Sequence, residues 1–264
     1  ASRGAWPSDR RRTALAADPP CQGALRFLLA RHGQTTYNAE KRFQGSLDEG
    51  PVLTEKGVAQ ARELGRWLGG LGPGAIGAVF TSPLLRARQT LAEARGEAGD
   101  LPAEVSFPEL REIDLHEWQG RTQAEIRESA PELMRTWKER TWELRLGGGR
   151  PVVQDLWDRA AAAWALMRQR AAPLAGRAPA LVVAHGTLGK ALLSTALGLP
   201  VRAFRHFSLA NGEVVEVAWP SAAGGPGAVW RRRYPAEGEW RSLEDEQTSL
   251  ASGGDGGGTD AGAV

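Results

Sequence analysis

Two histidines occupy matching places in the sequence, and an arginine precedes the first of them. Arg31 and His32 follow the apolar run LRFLLA, His185 follows the apolar run ALVVA, and each histidine stands directly before a glycine. An imidazole acts near neutral pH as a nucleophile, a proton carrier or a metal ligand, and a glycine lets the backbone approach a ligand closely. A guanidinium offers a planar fork of donors that matches phosphate oxygens, and its fixed charge disfavours a bound cation. These residue types favour a phosphate-binding site over a metal site.

Both apolar runs are predicted strands of one sheet that is covered by helices. Short apolar runs alternate with amphipathic helical patterns along the chain, which is typical of an α/β fold with a parallel sheet. Ligands bind beyond the carboxyl ends of the strands in such a sheet, so both histidines are expected at one edge. Strands are predicted at Leu25–Ala30, Ala78–Thr81, Glu104–Phe107 and Leu181–Ala184, followed by an antiparallel hairpin of Glu213–Trp219 and Val229–Arg233.

Helix signals fall between these strands. Thr54 is a predicted N-cap, Ser82 and Pro83 are predicted to cap and start the next helix, and Pro151 is predicted to open a long helix. Residues 115–150 interrupt the alternation with several tryptophans, which predicts a helical insertion over the sheet. The expected fold is therefore a three-layer α/β/α domain with a mostly parallel sheet and an antiparallel late strand.

Six short motifs occur in an order that identifies a family resemblance. They are RHGQTTYN at 31–38, RFQG at 42–45, LTEKG at 53–57, TSPLLRARQT at 81–90, LREID at 110–114 and VVAHG at 182–186. Together they resemble the histidine phosphatase, or phosphoglycerate mutase-like, superfamily. Within it, LREIDLHEWQG at 110–120 and PVVQDLWDRAAAAW at 151–164 resemble the plastid 2-carboxy-D-arabinitol-1-phosphatase-like group.

The resemblance implies roles for five residues. His32 is the implied nucleophile, which forms a phosphohistidine that water later hydrolyses. Arg31 and Arg86 are implied to clamp the transferring phosphoryl group, and His185 to complete their pocket. Glu112 matches the acid that protonates the leaving oxygen and then activates water. Convergent positive charge suits this reaction, because uncatalysed hydrolysis of phosphate monoesters is extremely slow.

The same resemblance places further residues at the substrate. Asn38, Arg42, Gln44 and Gly186 are the implied contacts. His116 stands where many relatives have glycine, and its imidazole is expected to narrow the pocket or to add a proton donor. This departure bears on the substrate rather than on the class of reaction.

The sequence is thus interpreted as a metal-independent phosphomonoesterase that needs no cofactor and acts on a small phosphorylated sugar or sugar acid. One alternative is a cofactor-dependent phosphoglycerate mutase, which uses the same phosphohistidine but returns the phosphoryl group to another hydroxyl. A second alternative is a non-catalytic phospho-ligand-binding module. A nucleophile and an acid together argue against that module, since binding alone requires neither.

Composition argues against several other classes of protein. A net charge of +2 is too small for a general nucleic-acid binder, and no apolar run approaches the ~18 residues of a membrane helix. The single cysteine, Cys21, forms neither an internal disulfide nor a thiolate metal cage. The GPGAIG sequence at 72–77 matches a dinucleotide fingerprint, but it precedes a predicted strand and Pro73 lacks an amide.

The ends of the chain are predicted to lie outside the domain. Residues 1–22 are interpreted as a disordered leader that could be the remnant of a transit peptide, residues 23–240 as the histidine phosphatase domain, and residues 241–264 as a disordered tail. The resemblance to the plastid group implies a chloroplast location. A small phosphorylated metabolite is the expected partner, and no sequence feature assigns an oligomeric state.

Overall fold

The computed structural model describes residues 23–219 and 228–234. Within those residues, six strands form one mixed sheet: β1 (Leu25–Arg31), β2 (Ala78–Thr81), β3 (Glu104–Ser106), β4 (Ala180–Ala184), β5 (Val214–Trp219) and β6 (Val229–Tyr234). Their order across the sheet is β3-β2-β4-β1-β5-β6. The first four strands in that order are parallel, whereas β5 and β6 are antiparallel to their neighbours. The predicted antiparallel late strand is confirmed.

The described helices lie between the strands. They are α1 (Thr36–Ala39), α2 (Glu55–Gly69), α3 (Leu85–Ala98), α4 (Gln123–Ser129), α5 (Pro131–Glu139), α6 (Val152–Ala171) and α7 (Gly186–Ala196). Thr54 caps α2 as predicted, because its hydroxyl accepts a hydrogen bond from the amide of Gly57 at 3.1 Å. Helix α6 follows Pro151, also as predicted.

Two apolar clusters cover opposite faces of the sheet. Successive strand residues point to opposite faces, so Phe27 and Leu29 join one cluster and Leu28 and Ala30 the other. Helices α6 and α7 pack on the first face together with the insertion helices α4 and α5, while α2 and α3 pack on the second. This arrangement confirms the expected three-layer fold and the helical insertion after LREID.

The carboxyl ends of β1, β2 and β4 meet at one edge of the sheet. Arg31 pairs with Ala184, and Thr81 pairs with Val183. The turn after β1 also touches α2 closely, because a Cβ atom added to Gly33 would lie 2.3 Å from the carbonyl oxygen of Gly57. The two backbones can come this close because Gly33 and Gly57 both lack a side chain. The contact fixes the residues after β1 against the start of α2.

One helix start differs from its prediction. Helix α3 begins at Leu85 with Leu84 as its N-cap, and no side chain caps it. The hydroxyl of Ser82 instead accepts from the amide of Leu84 at 3.3 Å and lies 2.7 Å from Nε2 of His185. The prediction that Ser82 and Pro83 cap and start this helix is wrong, because the serine hydroxyl is engaged by a histidine from another strand.

Some predictions fall on other parts of the chain. The proposed leader at 1–22, with Cys21, and the proposed tail at 241–264 lie outside the described residues, as does the turn between β5 and β6. Among the residues described, none of the helices has both the length and the apolar character to cross a membrane.

Candidate active site

His32 lies directly after β1 and is 2% exposed. Its Nδ1 is 2.8 Å from the carbonyl oxygen of Gly33. Because a carbonyl oxygen only accepts, this hydrogen bond assigns the proton to Nδ1 and leaves the lone pair on Nε2. The amide of Gly33 in turn donates to the hydroxyl of Thr90 at 3.0 Å. The turn that orients the imidazole is therefore held by α3.

Both histidine rings are kept neutral by their surroundings. Burial, and then the positive charges of Arg86 and Arg31, lower the pKa of His32 well below 6.5. Burial and the charge of Arg86 do the same to the pKa of His185. A neutral imidazole at neutral pH has a free lone pair, so Nε2 of His32 is available as a nucleophile.

His185 follows β4 and lies beside His32. The two ring centroids are 5.3 Å apart in an edge-to-face arrangement. Nε2 of His185 pairs with the hydroxyl of Ser82 at 2.7 Å, and its Nδ1 has no hydrogen-bond partner among the described residues. When Ser82 donates its proton to Nε2, Nδ1 carries the ring proton and is a free donor.

Two buried guanidiniums flank His32. Nη1 of Arg31 donates to the carbonyl oxygen of Leu209 at 2.6 Å, and Nη2 of Arg86 donates to that of Gly45 at 2.7 Å. Burial lowers the pKa of Arg86 to about 10, and burial also lowers the pKa of Arg31, although Glu112 opposes that shift. Both guanidiniums remain charged at neutral pH. Nε of Arg86 has no hydrogen-bond partner within the described part of the chain, so it remains a donor for an anion.

Gly186 provides space for one of these guanidiniums. A Cβ atom at this position would lie 2.9 Å from Cζ and from Nε of Arg31. Gly186 lines the cleft, and its lack of a side chain leaves room for the guanidinium of Arg31.

Glu112 is anchored by the amino end of α7. Its carboxylate accepts hydrogen bonds from the amides of Thr187 at 2.9 Å, Leu188 at 2.8 Å and Ile113 at 2.9 Å. Free amides at a helix start carry partial positive charge, which attracts a carboxylate. Glu112 is 7% exposed and lines the same cleft as His32. The helix thus fixes the orientation of the acid.

Asn38 and Gln44 belong to a hydrogen-bond network beside His32. The hydroxyl of Thr35 lies 3.1 Å from Oδ1 of Asn38 and donates to Oε1 of Gln44 at 2.9 Å. Asn211 donates from Nδ2 to the carbonyl oxygen of His32 at 3.0 Å and lies 3.2 Å from Oδ1 of Asn38. Of the two predicted substrate contacts, the structure places Gln44 in the cleft lining and Asn38 in the supporting network.

Arg42 and His116 do not line the cleft. Nε of Arg42 pairs with Glu40 at 2.6 Å, and its Nη1 donates to the carbonyl oxygen of Gly120 at 2.9 Å. The side chain of His116 is 42% exposed, with Nδ1 3.7 Å from Oδ1 of Asp114. His116 has a φ of 46°, a conformation that favours glycine. The imidazole therefore neither narrows the cleft nor reaches it.

The cleft is lined by eight side chains that sequence reasoning missed. It is open to solvent and includes about 630 Å³ of empty space. Its walls add to the predicted residues two cations, three aromatic rings and three smaller side chains: Lys190, Arg205, Phe43, Trp137, Phe204, Ile113, Leu115 and Thr187. Lys190 stands four residues after Gly186, and helical spacing puts both on one face of α7. That spacing was the available signal for Lys190.

Metal ligation is not provided by the described side chains. Among residues 23–219 and 228–234, no three or more His, Cys, Asp and Glu side chains are grouped so that they could hold a metal ion. The arrangement combines a neutral imidazole lone pair, two guanidiniums and a carboxylate around one cleft. Those groups can bind a phosphoryl group, attack its phosphorus and exchange a proton with the departing oxygen.

Comparisons with known proteins agree on one family. A family model described as the histidine phosphatase superfamily (branch 1) matches residues 27–225. A wheat (Triticum aestivum) protein named 2-carboxy-D-arabinitol-1-phosphatase is 38% identical over 216 residues, which cover 81% of this chain and 41% of that protein. A Salmonella typhi protein named probable phosphoglycerate mutase is 34% identical over 193 residues, covering 73% and 84%. This chain spans about two fifths of the length of the wheat relative.

A solved structure also has a similar fold. The native structure of mycobacterial glucosyl-3-phosphoglycerate phosphatase aligns with a TM-score of 0.66 and 29% identity, covering 79% of this chain and 97% of that one. The likeness extends over nearly the whole of the solved chain.

Proposed function

The chain belongs to the histidine phosphatase superfamily (branch 1), and from that premise we propose that it is a phosphomonoesterase acting on a small phosphorylated sugar or sugar acid. The observation that carries the proposal is the hydrogen bond from Nδ1 of His32 to Gly33, which leaves Nε2 unprotonated between two buried guanidiniums. The wheat relative, named for a phosphatase of a phosphorylated sugar acid, supports the substrate class.

The first step forms a phosphohistidine. Nε2 of His32 attacks the phosphorus, the phosphorus–oxygen bond to the substrate breaks, and protonated Glu112 gives its proton to the departing oxygen. In the second step, Glu112 takes a proton from water while the water oxygen attacks the phosphorus. The phosphorus–nitrogen bond then breaks, and inorganic phosphate leaves with Glu112 protonated again.

Charge stabilisation is the task of the surrounding donors. Arg31 and Arg86 place two positive charges beside His32, and charge-assisted hydrogen bonds contribute about 1.5–3 kcal/mol each. Arg86 lines the cleft and its Nε has no described partner, so its guanidinium can donate to phosphoryl oxygens; His185 is buried beside His32 and does not line the cleft. These donors are held by the protein before the substrate arrives, which lowers the cost of reorganisation in the transition state.

Trapping the phosphoenzyme tests the proposed nucleophile. We expect rapid acid-free quenching with ³²P-labelled substrate to label the wild-type chain and not His32→Ala. Arg88→Ala is the control, because Arg88 is an exposed residue of α3 that does not line the cleft. Equal labelling of the wild type and His32→Ala would show that the nucleophile lies elsewhere, and absence of labelling and turnover in the wild type would favour a binding module.

A mutase is the second candidate, favoured by the Salmonella typhi relative. Its phosphohistidine would return the phosphoryl group to another hydroxyl instead of to water. Phosphate release and interconversion of 2- and 3-phosphoglycerate can be measured in one reaction. We expect phosphate release to dominate, and rapid interconversion with negligible release would overturn the phosphatase proposal.

A further inference from the structure

The cleft contains more positive charge than a phosphoryl group requires. Its described walls carry four cationic side chains and one acid, Glu112. Arg31 and Arg86 flank the nucleophile, and together they match the charge of a phosphate monoester, about −1.5 to −2 at neutral pH. Lys190 and Arg205 add two further positive charges to the same lining.

Helix α7 places Lys190 on the same face as Gly186. Lys190 stands one helical turn after Gly186, which leaves room for the guanidinium of Arg31, and both residues line the cleft. The side chain is 8% exposed, and Nζ lies 5.7 Å from the centroid of the Phe204 ring. The ammonium is thus held at the cleft wall rather than extended into solvent.

Arg205 is oriented by contacts with the insertion. Its Nε donates to the hydroxyl of Thr141 at 2.8 Å, and Nη2 donates to the carbonyl oxygen of Trp137. The guanidinium also lies 5.6 Å from the Trp137 ring centroid, a cation–π distance. Because these contacts fix the planar head, little side-chain entropy remains to be lost when an anion binds.

Two aromatic rings pack against these cations. The ring centroids of Trp137 and Phe204 are 6.4 Å apart, with Arg205 against the first ring and Lys190 against the second. Both rings are largely buried, so they hold the two cations at the cleft wall.

We propose that Lys190 and Arg205 form a subsite for a second anionic group of the substrate. This proposal rests on the proposed phosphatase function and narrows its substrate class to phosphate esters that also carry a carboxylate or a second phosphate. The second group binds at Lys190 and Arg205 while the transferred phosphoryl group lies beside His32.

Matched substrate pairs test the subsite. 3-Phosphoglycerate is compared with glycerol 3-phosphate, and fructose 1,6-bisphosphate with fructose 6-phosphate, because each pair differs by one anionic group. We expect wild-type kcat/KM to be at least about tenfold higher for the more anionic member of at least one pair, mainly through a lower KM. Preference in the first pair identifies a carboxylate, and preference in the second identifies a phosphate.

Charge-removing variants assign the preference to the two side chains. We expect Lys190→Met and Arg205→Met each to reduce the preference about tenfold, and Lys190→Arg to retain most of it. Arg202→Met is the control, since Arg202 is exposed and does not line the cleft. Equal wild-type rates within both pairs, or equal losses on both members of a pair in the variants, would overturn the subsite.

The phosphatase proposal has a separate readout. p-Nitrophenyl phosphate carries no second anionic group, so its hydrolysis by the wild type measures turnover without the subsite. Hydrolysis of this ester with no preference in either pair would remove the subsite alone. Failure to release phosphate from any of the five esters would remove both proposals.

Discussion

The absence of a side chain at Gly186 leaves room for the guanidinium of Arg31. We expect Gly186→Ala to displace the head of Arg31 and to lower kcat/KM about 10- to 100-fold, since a Cβ would lie 2.9 Å from its Cζ. Stability should change little, because alanine favours a helix over glycine and the displaced atoms end a side chain. Steady-state kinetics and thermal unfolding of the same preparation measure both effects.

Gly33→Ala is the matched control for that prediction. A Cβ at Gly33 would meet the backbone carbonyl of Gly57 at 2.3 Å, and backbone cannot move as a side chain can. We expect this variant to lose stability as well as activity. Full activity of Gly186→Ala, or a loss of stability equal to that of Gly33→Ala, would contradict the assigned role of Gly186.

Sequence reasoning predicted which residues meet at the centre of the candidate site more reliably than which residues lie at its edge. His32, His185, Arg31, Arg86 and Glu112 meet at one edge because strand ends and a helix start fix their backbone positions. Arg42 has no such constraint, and nearby carboxylates draw its long side chain away. A motif orders residues along the chain, but competing ion pairs decide where a flexible side chain points.

At the scale of elements, α7 joins the acid to the sheet. We expect Glu112→Gln to lower kcat about tenfold more for alkyl phosphates than for p-nitrophenyl phosphate, whose leaving oxygen needs less protonation. The variant should also lose about 1–2 kcal/mol of stability, because an amide nitrogen cannot accept from the helix amides that the carboxylate now binds. Substrate-dependent kinetics and urea unfolding measure the two effects.

Glu117→Gln controls for the loss of charge near this segment. Glu117 is exposed and does not line the cleft, so neither the leaving-group dependence nor the stability should change. If Glu112→Gln slowed alkyl and p-nitrophenyl esters equally, Glu112 would not be the acid that protonates the leaving oxygen.

Capping residues in the sequence predicted a helix start correctly where no distant residue competed for the capping side chain. Thr54 caps α2 because its hydroxyl has the helix amides within reach. Ser82 carries the same local signal, yet its hydroxyl pairs with His185 from a distant strand. Lys190 was missed for a related reason, since a lysine in a helical pattern is normally solvated and only the folded cleft buries it. Tertiary partners cannot be read from local sequence.

At the scale of the whole molecule, burial of two neutral histidines links stability to pH. Below about pH 6.5 the unfolded chain protonates both rings, whereas in the folded chain their pKa values are lowered and they stay neutral. The unfolded state then binds more protons, so the free energy of unfolding falls as pH decreases. We expect a decline of up to about 1.4 kcal/mol per pH unit for each histidine between pH 6.5 and the lowered pKa.

Urea unfolding at pH 7.5, 6.5 and 5.5 measures this decline. His32→Gln and His185→Gln should each reduce the slope, whereas His116→Gln should leave it unchanged because His116 is an exposed side chain. A slope that is the same in the wild type and in both buried-site variants would show that the two rings titrate alike in the folded and unfolded chains.

The overall architecture could be predicted because the same sequence pattern is repeated along the chain. Alternation of apolar runs and amphipathic segments predicts helices on both faces of a parallel sheet, and the two apolar clusters match that expectation. The order of strands across the sheet was not predicted. It depends on which sheet faces the helices cover best, and several orders satisfy the same local pattern.

Helix α7 also connects three parts of the candidate site. His185 precedes it, its first amides hold Glu112, and Lys190 stands one turn farther along. If Lys190 binds the second anionic group, as proposed, a single helix orients the glutamate, one imidazole and that cation. A change in the tilt of α7 would then move all three groups together.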